Sequence, residues 1–448
     1  GEEEAPDDDD DDEVPGGVGG ATRRLSYWEL AKFGYQELVN AIIRPPRAEY
    51  DAEHLGPDYF EWHGRCYQRV DFELVNPRGL KLACSHWMPV ERPSTPRPCL
   101  VYLHGNASAR VEGVSQLALC LSIGITLVAF DFSGSGHSEG EWVSLGYWER
   151  DDLATVIAHL RATGSVSSIA LWGRSMGAVC ALMHGARDPS VAAMICDGAF
   201  ADLPQLAEEL VDKARDGGLA VPGFVASLAL RMIRSSVLKT AKFKLEDVAP
   251  VKHVASSFVP ALFVAGEHDD FVAAHHSRAI HAKYAGDKNL VMVEGDHNSP
   301  RPRFLFDSAA IFLQTYMDVP LAWTVPGADA FNAGVPPWVD AGAAVGLNLA
   351  DLGLDLADVD RLSGGLDLGM TTERQLQVQQ TLATVLGGGQ PTTTHAGTAS
   401  SSSSARRPPP GAASTSRRRG SLGGSGGPPR GRRPTDTTDD DDDDDDPV

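Results

Sequence analysis

LWGRSMGAVCALMHG, residues 171–185, decides how the rest of the chain is read. Within it Gly173–Gly177 spell G-R-S-M-G, a pattern that in the right surroundings holds a nucleophilic serine. The pattern alone is weak in 448 residues with 46 glycines, and it recurs as GHSEG at Gly136–Gly140 and GGSGG at Gly423–Gly427. The surroundings separate the three. Ser175 follows SIALW, a short apolar run of the kind buried in a parallel sheet, and leads straight into AVCALMHGA, a helix of small residues. That order makes a sharp strand-to-helix turn, where Gly173 and Gly177 are held to minimal size and the helix N-terminus aims free N–H groups at the serine. Ser138 is followed by EWVSLGYW, with no immediate helix, and Ser425 has neither strand nor helix beside it.

Working outward, apolar runs alternate with amphipathic ones. YQRVDFELV and LKLACSHW read as an antiparallel pair. CLVYLHG, ITLVAFDF, SIALWG, VAAMICDG, ALFVAGEHD and LVMVEGDH then read as strands, with helical runs between most of them. The expected fold class is α/β, a mostly parallel doubly wound sheet with helices on both faces and a helical lid inserted at about 201–258. The expected organisation is a disordered acidic stretch over 1–20, an amphipathic helix within 21–50 and one domain over 51–320. An extension with short helices over 321–386, one of them at 371–387, precedes a disordered low-complexity tail over 387–448.

A serine hydroxyl needs a base, and the base needs an orienting carboxylate. On this kind of sheet the order is serine, acid, histidine, each on a loop after a strand. GEHDDFV follows ALFVA and offers Asp269, favoured over its neighbour Asp270 because it comes sooner after the strand. EGDHNSP follows LVMV and offers His297. A developing oxyanion needs two backbone donors. One is expected from Met176, after the serine, and the other from the His104-Gly105-Asn106 loop, at Asn106 with Ala107 next. His104 itself reads as structural. A rival metal constellation, His268, Asp269, Asp270, His275 and His276, is set aside because adjacent residues at a helix start point apart; no metal is expected.

Composition excludes other classes. The net charge of −22 is concentrated at the ends: ten acids stand in residues 2–13, and nine beyond residue 387 face eight arginines there, which leaves −11 for residues 14–386. No basic face for nucleic acid is expected. The six cysteines form no C-x-x-C, and reduced buried thiols fit a cytoplasmic compartment. No run of 18 apolar residues and no signal peptide is visible. Residues 24–48 read as a helix packed on the domain, with peripheral contact with a membrane surface as the second reading.

IIRPPRAEYD, PCLVYLHGNASAR, DFSGSGHSEGEWVSLGYWERDDL, LWGRSMGAVCALMHGARDPS, DDFVAAHHS and GDHNSPRPRF together resemble the α/β-hydrolase superfamily, in its serine aminopeptidase-like branch of plants and protists. The resemblance runs from about residue 37 to 320. It implies an α/β-hydrolase fold, a serine hydrolase mechanism, no cofactor, and Ser175, Asp269 and His297 as triad. Ala273 stands where the family usually has proline. The branch is also similar to enzymes that remove palmitate from cysteines, which an apolar lid run, FVASLALRMI, would suit. The expectation is a serine hydrolase cleaving a small-molecule or lipid-acyl ester or thioester through an acyl-enzyme. A serine aminopeptidase using Glu208, Glu209 or Asp212 in the lid, and a non-catalytic scaffold with charged tails of unknown partners, are its alternatives.

Overall fold

The computed structural model describes residues 27–91, 95–216, 223–326 and 335–339. The expected tails, the helix at 371–387 and most of the extension lie outside these residues.

A nine-stranded sheet forms the centre, in the order β1-β2-β3-β5-β4-β6-β7-β8-β9. Its first strands are β1 (Tyr59–Trp62), β2 (Arg65–Val75) and β3 (Lys81–Pro89), followed by β4 (Arg97–Leu103) and β5 (Thr126–Phe130). The second half is β6 (Val166–Arg174), β7 (Ala193–Asp197), β8 (Ala261–Gly266) and β9 (Lys288–Val293). β1, β2, β3 and β5 pair antiparallel, and every pairing from β5 through β4 to β9 is parallel. The expected opening pair is therefore three strands. YFEW is too short to read as a strand alone, but it forms β1 by pairing with Arg65–Gln68 of β2.

The parallel strands are buried on both faces, and their alternating side chains feed two cores. In β4, Cys99, Val101 and Leu103 join one core, while Leu100 and Tyr102 join the other. β6 divides the same way, Ile169 and Leu171 against Ala170 and Trp172. The first core lies under α1 (Tyr27–Ile43), α3 (Glu149–Ala162), α4 (Met176–Gly185) and α7 (His275–Lys283). The second lies under α2 (Leu117–Ser122) and α8 (Arg303–Tyr316). In the region expected as a lid stand α5 (Leu203–Asp216) and α6 (Gly223–Ala241).

Leu38, Val39 and Ile43 of α1 are buried in the first core, and Tyr35 Oη lies 2.7 Å from Ser236 Oγ on α6. The helix ends before Pro45, as the proline pair dictates. Among the described residues no helix is long and apolar enough to cross a membrane. All six cysteines are free; five are buried, and Cys66 is exposed.

From β4 the chain moves to β5 on one side, and from β5 it crosses to β6 on the other. The C-terminal ends of β4 and β6 therefore flank a switch point, where open α/β sheets form their crevice.

Two buried histidines make stability depend on pH. Burial pushes His86 and His184 each down to about 4. Between that value and the ordinary 6.5 the unfolded chain binds more protons than the folded one, so their stabilising share is complete above pH 6.5 and falls as pH falls. At up to about 1.4 kcal/mol per pH unit for each histidine, the urea midpoint is expected to drop clearly between pH 7 and pH 5. A flat profile would contradict this, and His86→Gln should remove its part of the slope.

Candidate active site

The turn after β6 fixes everything near it. Ser175 has φ 51° and ψ −114°, a conformation that non-glycine residues seldom adopt and that costs on the order of 1–3 kcal/mol. It is held from both sides. Its N–H donates to the Asp197 carbonyl at the end of β7 (2.7 Å), and its own carbonyl accepts the Val179 N–H (3.1 Å). A Cβ at Gly177 would lie 2.0 Å from the Leu103 carbonyl oxygen, and one at Gly173 would lie 2.3 Å from the Gly177 carbonyl carbon. No side chain of any size fits at either position.

Three loops bring the expected residues to this turn. Ser175 Oγ lies 3.0 Å from His297 Nε2, and His297 Nδ1 lies 2.7 Å from Asp269 Oδ2. The other Asp269 oxygen accepts the N–H groups of Phe271 (3.0 Å) and Val272 (2.7 Å), which fixes the carboxylate's orientation. All three side chains belong to buried residues. Asp270 is exposed, and its carbonyl accepts from Lys213 Nζ. His268 is exposed as well. Of the two aspartates only Asp269 meets the histidine.

On the other side of Ser175 lies the loop after β4. The Gly105 N–H is taken by Glu112 Oε2 at 3.0 Å, which leaves Asn106 as the next donor. The N–H groups of Asn106 and Met176 donate to no described residue. His104 is fully buried and structural: Phe132 N–H donates to its Nε2 (3.1 Å), so the ring proton sits on Nδ1 and points to the Gly105 carbonyl (2.7 Å).

Two arginine–carboxylate pairs brace the loops, and sequence reading missed both. Arg174, the x of G-x-S-x-G, reaches Glu112 (3.3 Å) on one side and Asn298 Oδ1 (2.8 Å) and the His297 carbonyl (3.4 Å) on the other. Burial pushes the Glu112 carboxyl up, but Arg174 and donors from Ser108 and Gly105 outweigh it and hold the group below the usual carboxylate range. Arg301 forms a fork with both oxygens of Asp197, 2.9 Å each, and donates to the carbonyls of Asp296 and Ser299 in the histidine loop. The only sequence signal was position: each residue flanks a motif, but its partner stands 62 or 104 residues away.

The lid carboxylates are engaged. Glu208 pairs with Arg234 and Asp212 with Arg215, both at 3.1 Å. Glu209 takes the Nε2 atoms of His275 (2.9 Å) and His276 (3.0 Å). This corrects the expectation that the two histidines point apart. They stand on the first residues of α7, where no earlier turn confines the rings, and their acceptor arrives from another helix.

Residues 94–232 match the family model described as serine aminopeptidase, S33. The chain is 27% identical over 248 residues to the uncharacterized protein YqkD of Bacillus subtilis, covering 54% of this chain and 77% of that one. It is 26% identical over 221 residues to an uncharacterized protein of Mycobacterium tuberculosis, covering 48% and 69%. Among solved structures, the esterase Pf2001 of Pyrococcus furiosus is 18% identical with a TM-score of 0.45, covering 61% of this chain and all of that one.

Removing one member of the Asp197–Arg301 pair leaves a buried charge unpaired, so Arg301→Ala is expected to cost about 3–5 kcal/mol in urea unfolding. Arg301→Met combined with Asp197→Asn should cost clearly less than the two single changes added together. Strict additivity would mean that the pair does not act as a unit.

Proposed function

We propose that this chain is a serine hydrolase of the α/β-hydrolase superfamily that cleaves an acyl ester or thioester. The observation that carries the reading is the continuous line Ser175 Oγ–His297 Nε2, His297 Nδ1–Asp269 Oδ2, with both aspartate oxygens engaged. With its Nδ1 proton donated to Asp269, the His297 ring presents a lone pair at Nε2 to the serine hydroxyl.

As Ser175 Oγ attacks the carbonyl carbon, its proton passes to Nε2, and Asp269 stabilises the imidazolium. The carbonyl oxygen becomes an oxyanion facing the Met176 and Asn106 N–H groups; one such donor is generally worth about 10²–10³ in rate. The Nε2 proton then goes to the departing alcohol or thiol as its bond to carbon breaks, which leaves an acyl-enzyme on Ser175. Water enters, gives a proton to Nε2 and attacks the same carbonyl. The second tetrahedral species expels Ser175 Oγ, which recovers the proton, and the free acid departs.

Ester or thioester is preferred over an N-terminal peptide bond. An aminopeptidase needs a carboxylate for the substrate's free amine, and Glu208, Glu209 and Asp212 all have cationic or imidazole partners already. The scaffold alternative is disfavoured because all three positions of the line carry groups able to do the chemistry.

Hydrolysis of p-nitrophenyl esters from acetate to palmitate is the test, with an amino-acid anilide alongside. Ester cleavage is expected, the anilide should remain intact, and Ser175→Ala should lower kcat by at least about 10³-fold. Fluorophosphonate should label the wild type and not the variant. Full activity in Ser175→Ala would sink the assignment, and cleavage of the anilide alone would replace the ester reading with the peptidase one.

A further inference from the structure

Away from Ser175, three donor atoms converge. Glu209 on α5 and His275 and His276 at the start of α7 bring one ligand-capable atom each within 4.8 Å of one another. The carboxylate spans the two rings, Oε1 to His275 Nε2 at 2.9 Å and Oε2 to His276 Nε2 at 3.0 Å. Gln205, one turn earlier on α5, places its amide 2.8 Å from Glu209 Oε1 and 3.4 Å from His275 Nε2. Which end of that amide is oxygen is set by the hydrogen-bond network; turned over, it offers a carbonyl oxygen to the same point.

We infer that Glu209, His275 and His276, with Gln205, form a binding site for a divalent transition-metal ion, Zn²⁺ foremost, that ties α5 to α7. Two imidazoles and a carboxylate, completed by a neutral oxygen, are a donor set Zn²⁺ takes. At the usual bond lengths, tetrahedral ligand atoms stand about 3.3 Å apart, inside the 4.8 Å within which the three donor atoms already lie. His276 is fully buried, while Glu209 and His275 reach solvent and leave a way in.

One contact has to yield. The Ala201 N–H donates to His276 Nδ1 at 3.3 Å, which keeps the ring proton on Nε2. A metal at Nε2 moves that proton to Nδ1, and this long hydrogen bond is lost. The affinity expected is therefore micromolar rather than nanomolar. The site is independent of the chemistry at Ser175, so it stands or falls separately from the hydrolase reading.

Calorimetric titration of the full chain with zinc chloride tests it. The polyaspartate runs at 7–12 and 439–446 also attract cations, so the comparison with variants decides. One saturable equivalent is expected in the wild type, with a Tm that rises with Zn²⁺. His275→Ala, a half-exposed position whose loss leaves the fold intact, and Glu209→Gln should each weaken binding at least about tenfold, as even outer-shell partners of metal sites do, and abolish the Tm rise. A titration with no saturable step, or one that both variants leave unchanged, overturns the site and reduces the cluster to a hydrogen-bonded contact between two helices.

Discussion

The whole site depends on how closely α4 runs past the end of β4. The Gly177 backbone stands against the Leu103 carbonyl with no room for a single carbon between them. That approach sets the angle at which the helix leaves β6, forces Ser175 into its positive φ, and brings the serine beside the β4 loop. The strain is sustained by the hydrogen bond to Asp197 and by the first turn of α4. A looser turn would relieve the backbone and withdraw the hydroxyl from His297. The geometry is paid for in conformational strain at one residue, and packing on both sides of it holds that strain in place.

Much of this was legible in the sequence because it is local. The continuous apolar runs CLVYL and SIALW, glycines on both sides of Ser175, and the order of Asp269 and His297 after apolar runs are each visible within a short window. The choice of Asp269 over Asp270 rested on distance from the strand end, and the structure brings Asp269 to the histidine. What was not legible is long-range. Glu112 and Arg174, or Asp197 and Arg301, look like unremarkable surface charges until the strands are placed side by side. β1 gains its strand conformation only from its partner. The meeting of Glu209 with His275 and His276 needs α5 laid across α7, and helix geometry within α7 alone carries no sign of an acceptor from a second helix.

The electrostatics of the region are economical. Buried carboxylates around the crevice are satisfied by backbone and side-chain donors: Asp131 by the N–H groups of Arg110 and His137 and the Tyr50 hydroxyl, Glu149 by the N–H groups of Ser144 and Gly146, Asp152 by the Asn76 amide and the Ser133 N–H. Each would be costly if left unpartnered, and each ties a loop to a fixed element. The segment DFSGSGHSEG, a false match to the nucleophile pattern, owes its glycines and serines to this role. Ser138 bridges the Asp131 carbonyl and the Ala83 N–H, and a Cβ at Gly136 would collide with the Asp131 carboxylate.

Arg174 touches both walls of the crevice, with Glu112 and the β4 loop on one side and the loop of His297 on the other. A change that enlarges one wall for a bulkier substrate is therefore transmitted to the other through a single guanidinium. The two walls are not free to diversify separately. Along any route of mutation that reshapes this pocket, the effect of a substitution beside Gly105 depends on what already stands beside Asn298, so the order in which such changes accumulate restricts which of them are tolerated.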